Sequence, residues 1–249
     1  MNEKTNSQDE VRGTPGFLPL YRQVKSLLVR RISERFWQPG EILPSEIQIA
    51  AELGVSQGTV RKALDEMTAE RLLVRRQGRG TFVARHDESR ILFQFFKIVP
   101  ETGVPIFPES HLRRVETAKA SPEEVARLAL RPGDSVIRIA RVRSLNGRPT
   151  ISEYLALPVE RFPGLAKEAD IPNNLYDHFA SEYGITIAGG DESLRAMAAP
   201  EEDAALLGIA PGTPILAIDR VALDLDGKPV EWRYSLCDTR HCHYVSGLR

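Results

Sequence analysis

From residue 19 onward apolar positions recur at helical spacing. Leu20, Tyr21, Val24, Leu27, Leu28 and Ile32 fall on one stripe, and Pro19 suits the first turn of that helix. WQPGEILP (37–44) breaks the pattern and reads as turn and extended chain. Ser45 then caps a short second helix, with Gln48 completing a capping box and Gly54 ending it. Ser56 caps a third helix that turns Val60, Ala63, Leu64 and Met67 inward and Gly58, Arg61, Lys62 and Asp65 outward. LLVRRQGRGTFV (72–83) follows as strand, Gly-rich turn and strand, a hairpin with Arg75, Arg76 and Arg79 clustered around its tip. Two helices across a Gly turn followed by a basic hairpin predict a winged helix-turn-helix.

The second half of the chain repeats a pattern. Residues 121–158 and 199–238 each open a short helix on Pro-Glu-Glu and end it before Pro-Gly. Each continues with an apolar strand containing Arg-Val, a turn (Asn146-Gly147, Asp226-Gly227) and a returning strand with Glu153 or Glu231. Such turns are hairpin signals. Two helix-plus-hairpin units predict one antiparallel sheet with pseudo-twofold symmetry, and NNLYDHFASEYG between them predicts a helix ending at Gly184. The fold class expected is α+β, divided into a tail at 1–18, a winged helix-turn-helix unit at 19–84, a linker at 85–90 and an antiparallel-sheet unit at 91–249.

Composition narrows the classes. The 249 residues are 42% hydrophobic, enough for real cores, and no apolar run reaches the roughly 20 residues of a membrane helix. No leader is visible in MNEKTNSQDE, and two cysteines make no disulfide framework. The expectation is a soluble, cytoplasmic protein without membrane partners. The net charge of −1 conceals an asymmetry: residues 1–85 carry 14 Lys and Arg against 10 Asp and Glu, whereas the remainder is acidic. That points to a polyanionic partner for the first part only.

Gly58 sharpens the question. A glycine inside a helix costs roughly 1 kcal/mol relative to alanine. Either neighbouring packing compensates, or bare backbone admits close approach of a major groove to the start of the third helix. The stretch LPSEIQIAAELGVSQGTVRKALDEMTAERLLVRRQGRGTFV resembles the winged-helix domain of GntR-family bacterial transcription regulators, over residues 19–84. The resemblance implies a DNA-binding homodimer on a short palindromic operator, usually as a repressor. The family's helix-three arginine falls on Arg61, its wing-tip glycine on Gly78 and the preceding residue on Gln77. Candidate DNA contacts are Ser45, Ser56, Gln57, Gly58, Thr59, Arg61, Lys62, Gln77, Gly78, Arg79 and Thr81. Many members carry Arg where this chain has Gln57, and often a polar or basic residue at Ile47. Gln reads adenine where Arg prefers guanine, so the operator is expected to differ.

Residues 90–245 resemble the UTRA domain, the effector-sensing module of the HutC branch of that family, with a fold similar to chorismate lyase. The motifs are RVR…NG.P…E, FPGL, LY…YG, LG..PGTPIL and R…DG.PVE. The family's pocket positions fall on Arg141, Arg143, Glu153, Tyr176 and Glu231. Arg141 and Arg143 are two apart on a strand, so both face one way, and paired guanidiniums suit a carboxylate or phosphate. Members that sense sugar phosphates carry small hydroxyl residues where this chain has FQFFKI (93–98) and Asn174. Phe93, Phe95 and Phe96 are therefore a pocket wall or plain core, and the expected effector is a small anionic metabolite rather than a sugar phosphate. Two alternatives stay open. Cys237, His241, Cys242 and His243 could hold a transition metal, although neighbours on a strand face opposite ways. A lyase-like enzyme is the other, against which stand the DNA-binding unit and the absence of a nucleophile–base pair. No cofactor and no catalytic residue are expected.

Overall fold

Capping side chains set the helix boundaries of the N-terminal part. The computed structural model describes residues 19–70, 72–84, 95–167 and 171–246. The expected tail at 1–18, the linker at 85–90 and Phe93 lie outside the described residues. Helix α1 spans Leu20–Ser33, α2 Glu46–Leu53 and α3 Gln57–Ala69. The capping box at Ser45 forms: Ser45 Oγ accepts from Gln48 N at 3.3 Å, and Ser45 N donates to Gln48 Oε1 at 2.8 Å. Gly54 ends α2 in the left-handed conformation (φ 64°), and Ser56 Oγ caps α3 through Thr59 N. Strands β1 (Leu73–Arg76) and β2 (Gly80–Val83) form the wing, turning at Gly78 (φ 69°).

Val60, Ala63, Leu64 and Met67 are buried, as the periodicity requires. The stripe on α1 is displaced from expectation. Val24, Leu28, Val29 and Ile32 are buried, while Leu20 is 51% exposed and Tyr21 and Leu27 are half-buried. Helix α1 packs on α3, and the crossing selects Val29 over Leu20. Pro19 precedes the first helical residue rather than occupying it.

The second part is a six-stranded antiparallel sheet. Its strands are β4 (Glu109–Lys119), β5 (Ser135–Leu145), β6 (Arg148–Pro158), β7 (Ile187–Ala198), β8 (Pro214–Asp224) and β9 (Pro229–Cys237). Their spatial order is β4-β5-β6-β9-β8-β7, the expected pseudo-twofold arrangement about the β6–β9 seam. The echo extends further than the helix and hairpin, because each unit also begins with an outer strand, β4 or β7. These outer strands are largely exposed and lack the apolar alternation that would mark them in the sequence. Helix α4 (Pro122–Leu128) and helix α6 (Glu201–Leu207) cover one face of the sheet. Helix α5 (Leu175–Glu182) covers the other, with Phe95, Phe96 and a two-stranded ribbon of β3 (Ile98–Pro100) and β10 (Cys242–Tyr244). The two hairpin turns differ. Asn146 (φ 52°) and Gly147 (φ 71°) make a two-residue turn with both residues left-handed. The second is a four-residue loop, 225–228, closed by Asp224 N donating to Lys228 O, with Gly227 alone left-handed.

The two parts touch. Arg35, beyond the end of α1, donates to Ala180 O (3.3 Å) and Ser181 O (3.0 Å) near the end of α5, and Ala188 and Leu225 pack against the N-terminal core.

Candidate functional site

Two constellations stand out, one on each part. On the first, α3 presents Gln57, Gly58, Arg61 and Lys62 outward. A Cβ built on Gly58 would meet only Ser56 Oγ, at 3.8 Å. Internal packing does not explain the glycine, so the space around its backbone faces outward. A cleft of about 780 Å³ opens between the start of α2, the start of α3 and the wing, bordered by Ser45, Ile47, Gln57 and Thr81. Ile47 is 66% exposed there, an apolar group on a polar face.

The cations of this face are already positioned. Glu46 accepts from Arg61 Nε at 2.9 Å, from Gln57 Nε2 at 3.2 Å and from Arg75 at 3.5 Å. Arg75 also reaches Asp65 at 2.6 Å, so it leans back onto α3 instead of standing at the wing tip as expected. Arg76 lies over the Phe82 ring, and Lys62 over Tyr21 at 4.0 Å. Gln77, Gly78 and Arg79 form the exposed tip. The hydroxyls of Ser56 and Thr59 are 2.8 Å apart at the start of α3, where backbone N–H groups point outward. Sequence reasoning missed Glu46 as the organiser, although the spacing from a first-turn carboxylate on α2 to Arg61 is what a helix-turn-helix brings together.

On the second part, charge is embedded in the core face of the sheet. Along β5, Ile137, Ile139, Arg141 and Arg143 share one face, and Glu153 on β6 lies opposite Arg141. On β9 the same face carries Glu231, Arg233 and Ser235, and on β8 Arg220 lies opposite Arg233. Arg141 Nε donates to Glu153 at 2.7 Å, Arg143 and Arg233 stand 3.7 and 3.5 Å from the same carboxylate, and Ser235 Oγ donates to it at 3.4 Å. Glu231 accepts twice from Arg233, at 2.8 and 2.9 Å, and once from Tyr176 at 3.0 Å. Glu231 therefore anchors Arg233, not Arg141 or Arg143. Arg220 pairs with Glu192 on β7.

The expected residues Arg141, Arg143, Tyr176 and Phe95 line one pocket, together with Phe96, Phe107, Asn173, Arg220 and Arg233; Glu153 and Glu231 sit behind as anchors. Phe95 is both wall and core: it is buried and stacks edge-on against Tyr176. Arg143 lies 5.0 Å from the Phe96 centroid and 5.5 Å from that of Phe107, donates to Asn173 Oδ1, and leaves its Nε buried without a partner. Arg220 was legible from the echo, since it occupies the place of Arg141 in the second copy. Arg233 takes the place of Glu153 in the second copy, since it lies opposite Arg220 as Glu153 lies opposite Arg141. Glu153 and Glu231 are thus offset by two positions in the repeat, and the echo of glutamates hid it.

The electrostatics follow from burial. Desolvation works to raise Glu153, but Arg141, Arg233 and Arg143 together hold it well below the usual carboxylate range. Burial pushes the Arg143 guanidinium down to about 9 against the pull of Glu153, so it is charged at neutral pH. Burial and then the Glu231 charge push Tyr176 up to about 12, keeping its hydroxyl a donor. The cluster holds four guanidiniums (Arg141, Arg143, Arg220, Arg233) against three carboxylates (Glu153, Glu192, Glu231), which leaves one positive charge over. The open space among these side chains is about 20 Å³, room for about one water.

The C-terminal metal alternative does not converge. Cys237 and Cys242 are buried with sulfurs 3.9 Å apart, whereas His241 and His243 are exposed, His243 toward Glu101. Among the described residues no three His, Cys, Asp or Glu side chains gather as a metal site, and no helix is long and apolar enough to cross a membrane.

The profile for bacterial regulatory proteins, gntR family, matches residues 20–83, and that for the UTRA domain matches 107–243. The chain is 32% identical to the transcriptional repressor NagR of Bacillus subtilis, over 86% of this chain and 88% of that one. It is also 32% identical to a histidine utilization repressor of Pseudomonas putida, over 82% of each. Among solved structures, PhnF from Mycobacterium smegmatis aligns over 91% of this chain and 99% of its own, at 25% identity and a TM-score of 0.55. The first two relatives are named as repressors.

Proposed function

The chain belongs to the GntR family of transcriptional repressors, with a UTRA domain as its effector part, and on that premise we propose that it is a homodimeric repressor released from a palindromic operator by a small anionic metabolite. The operator meets α3 and the wing, with Arg61, Gln57 and Gly58 at base edges and Gln77, Gly78 and Arg79 at the wing tip. The functional units are residues 19–84 and 91–249. The observation that carries the effector class is the uncompensated positive charge behind Phe95 and Phe96, with the Arg143 Nε buried and unpartnered. A buried donor without an acceptor costs about 1–3 kcal/mol, which an anion accepting from it returns as affinity.

Two further features support the reading. Among the described residues the pocket lining carries none of the small hydroxyls that the resemblance associates with sugar-phosphate sensing and presents aromatic rings instead, which suits an organic acid with an apolar body. A space of about 20 Å³ is too small for such a ligand, so binding has to move Phe95, Phe96 or the Asn173–Asn174 segment. The edge strands β4 and β7, 11 and 12 residues long, offer outer backbone edges for a second copy. The test is calorimetry of the full chain against a panel of mono- and dicarboxylic acids, sugar phosphates and neutral analogues, followed by operator gel shifts with each binder. Release by a carboxylic acid supports the proposal. An effector that is neutral or cationic overturns it.

A further inference from the structure

The sensor domain contains a second chemical feature that effector binding does not use. Cys237 ends β9 on the core face of the sheet, beside Ile151 and Leu216. Cys242 begins β10, five residues later, across the turn 238–241. Both residues are buried and their sulfurs are 3.9 Å apart, in van der Waals contact. A disulfide needs about 2 Å between sulfurs, a closure of less than two ångströms within one short turn. The two thiols are not equivalent. Both belong to the core cluster, but only Cys242 also borders a cavity. Cys242 forms part of the wall of a cavity of about 200 Å³, which Asp238, His241, Thr150 and Arg148 also line. A peroxide has room there, and the exposed His241 imidazole borders the same cavity. The hydrogen-bond chain is ordered: Cys242 donates to Asp238 O at 3.2 Å, and the Cys237 thiol bridges to Cys242.

We propose that Cys237 and Cys242 are a two-electron redox site: Cys242 is oxidised by a peroxide through this cavity, and Cys237 resolves the product as an intrachain disulfide. In the first step the Cys242 thiolate attacks one peroxide oxygen and the O–O bond breaks. Cys242 becomes a sulfenic acid, and the other oxygen leaves as hydroxide or alkoxide. In the second, Cys237 loses its proton and attacks the Cys242 sulfur, the S–S bond forms, the S–O bond breaks, and water departs. The two thiols have lost two electrons and the peroxide has gained them. The thiol shifts agree with this order. The hydrogen bond from Cys237 lowers Cys242, while that same bond, with burial, raises Cys237. The disulfide pins the 238–241 turn, whose flanks are β9, bearing Glu231 and Arg233, and β10, from which Tyr244 donates to the Glu192 that pairs with Arg220.

The experiment treats the reduced full-length protein with hydrogen peroxide, alkylates it after denaturation, and reads intact and peptide mass. The expected result is a loss of about 2 Da with neither cysteine alkylated, reversed by dithiothreitol. In C237S, a 1,3-dione probe labels sulfenic acid on Cys242; in C242S, Cys237 stays reduced. The wild-type mass decides the site even if a variant fails to fold. Two alkylatable thiols after peroxide, a cross-link between chains, or oxygen addition without the 2 Da loss overturns the site. A dione adduct on Cys237 overturns the order.

Discussion

At the scale of single residues, Glu46 decides what Arg61 can do. A lone arginine on a helix surface samples many rotamers, and ordering it on DNA costs side-chain entropy. Glu46 holds both Arg61 Nε and Gln57 Nε2, leaving the remaining guanidinium donors of Arg61 for a base edge. Arg61→Ala should weaken operator binding by about 1–3 kcal/mol and relax preference at one base position. Glu46→Ala should lower specificity more than affinity, since it removes a negative charge from the DNA face while releasing the reader. Arg79→Ala should weaken operator and random DNA alike, with a shallower salt dependence. Gel shifts at several salt concentrations check all three, and unchanged binding in Arg61→Ala and Arg79→Ala rules out this docking. In the pocket, Arg143→Ala should weaken the effector at least about 30-fold while leaving the unliganded operator affinity intact. Elsewhere, Glu124 in the first turn of α4 is buried against the sheet. Burial works to raise it, but Arg138, Tyr154 and the Ser121 backbone N–H bring it down to about 2 from 4.5. A lowered folded-state carboxyl stabilises above its unfolded value, and that stability disappears as pH falls through the folded one. The wild type should thus lose up to about 3 kcal/mol between pH 4.5 and 2 that Glu124→Gln never has. Denaturant titrations at pH 7, 4.5 and 3 show this as a gap between the two proteins that narrows with acid.

Among the elements, α5 is the piece that joins the proposed pocket to the N-terminal part. Its start lies on the pocket: Tyr176 donates to Glu231, and Asn173 just ahead of it accepts from Arg143. Its end carries the carbonyls that Arg35 grips, and Gly184 lies two residues beyond. Gly184 has φ 69°, and a Cβ there would stand 2.7 Å from Arg35 Nε. Gly184→Ala therefore costs roughly 1–2 kcal/mol of backbone strain and also displaces the Arg35 side chain. Calorimetry should show the thermal transition lowered and broadened or split; an unchanged single transition means the clamp carries no weight. The sequence made α5 legible because Asn174, Phe179 and Gly184 are cap, core and stop. It likewise marked α2, α3, the wing and both hairpins, where capping boxes, left-handed glycines and strict periodicity act locally. The outer strands β4 and β7 and the β3–β10 ribbon were not legible, since their residues are mostly exposed or too few to set a period, and only neighbouring strands make them strands. The same division holds for the site. Arg141, Arg143 and Glu153 announce themselves as charges in an apolar alternation. Arg233 and Asn173 join them only through register and the path of the chain before α5.

For the whole molecule, the proposed function requires the pocket in one part to act on the DNA face in the other. The two parts are joined by Arg35 on α5 and by Ala188 and Leu225 packing against the N-terminal core. A ligand that enters a space of about 20 Å³ must shift the side chains around it, and Asn173 and Tyr176 couple that shift to the start of α5. A rigid eight-residue helix transmits displacement along its length, and Arg35 delivers it to the end of α1, which packs directly on α3. In a dimer this changes the spacing of two reading heads against fixed half-sites. A fragment of residues 1–85 should accordingly fold as a monomer, bind operator far more weakly than the full chain, and ignore effector. Sedimentation of both proteins checks the assembly, and a fragment that dimerises by itself refutes it. Coupling is also reciprocal: if effector weakens DNA binding, DNA weakens effector binding by the same factor, typically roughly 5–150-fold. Arg35→Ala separates the link from the sites it joins. Operator affinity without ligand, and effector affinity without DNA, should both stay within about twofold of wild type, because Arg35 touches neither site. The ratio between liganded and unliganded operator affinity should fall toward one. Measuring all four affinities closes the thermodynamic box. If Arg35→Ala keeps the full wild-type ratio, the signal passes through the connecting chain or the subunit interface and not through α5.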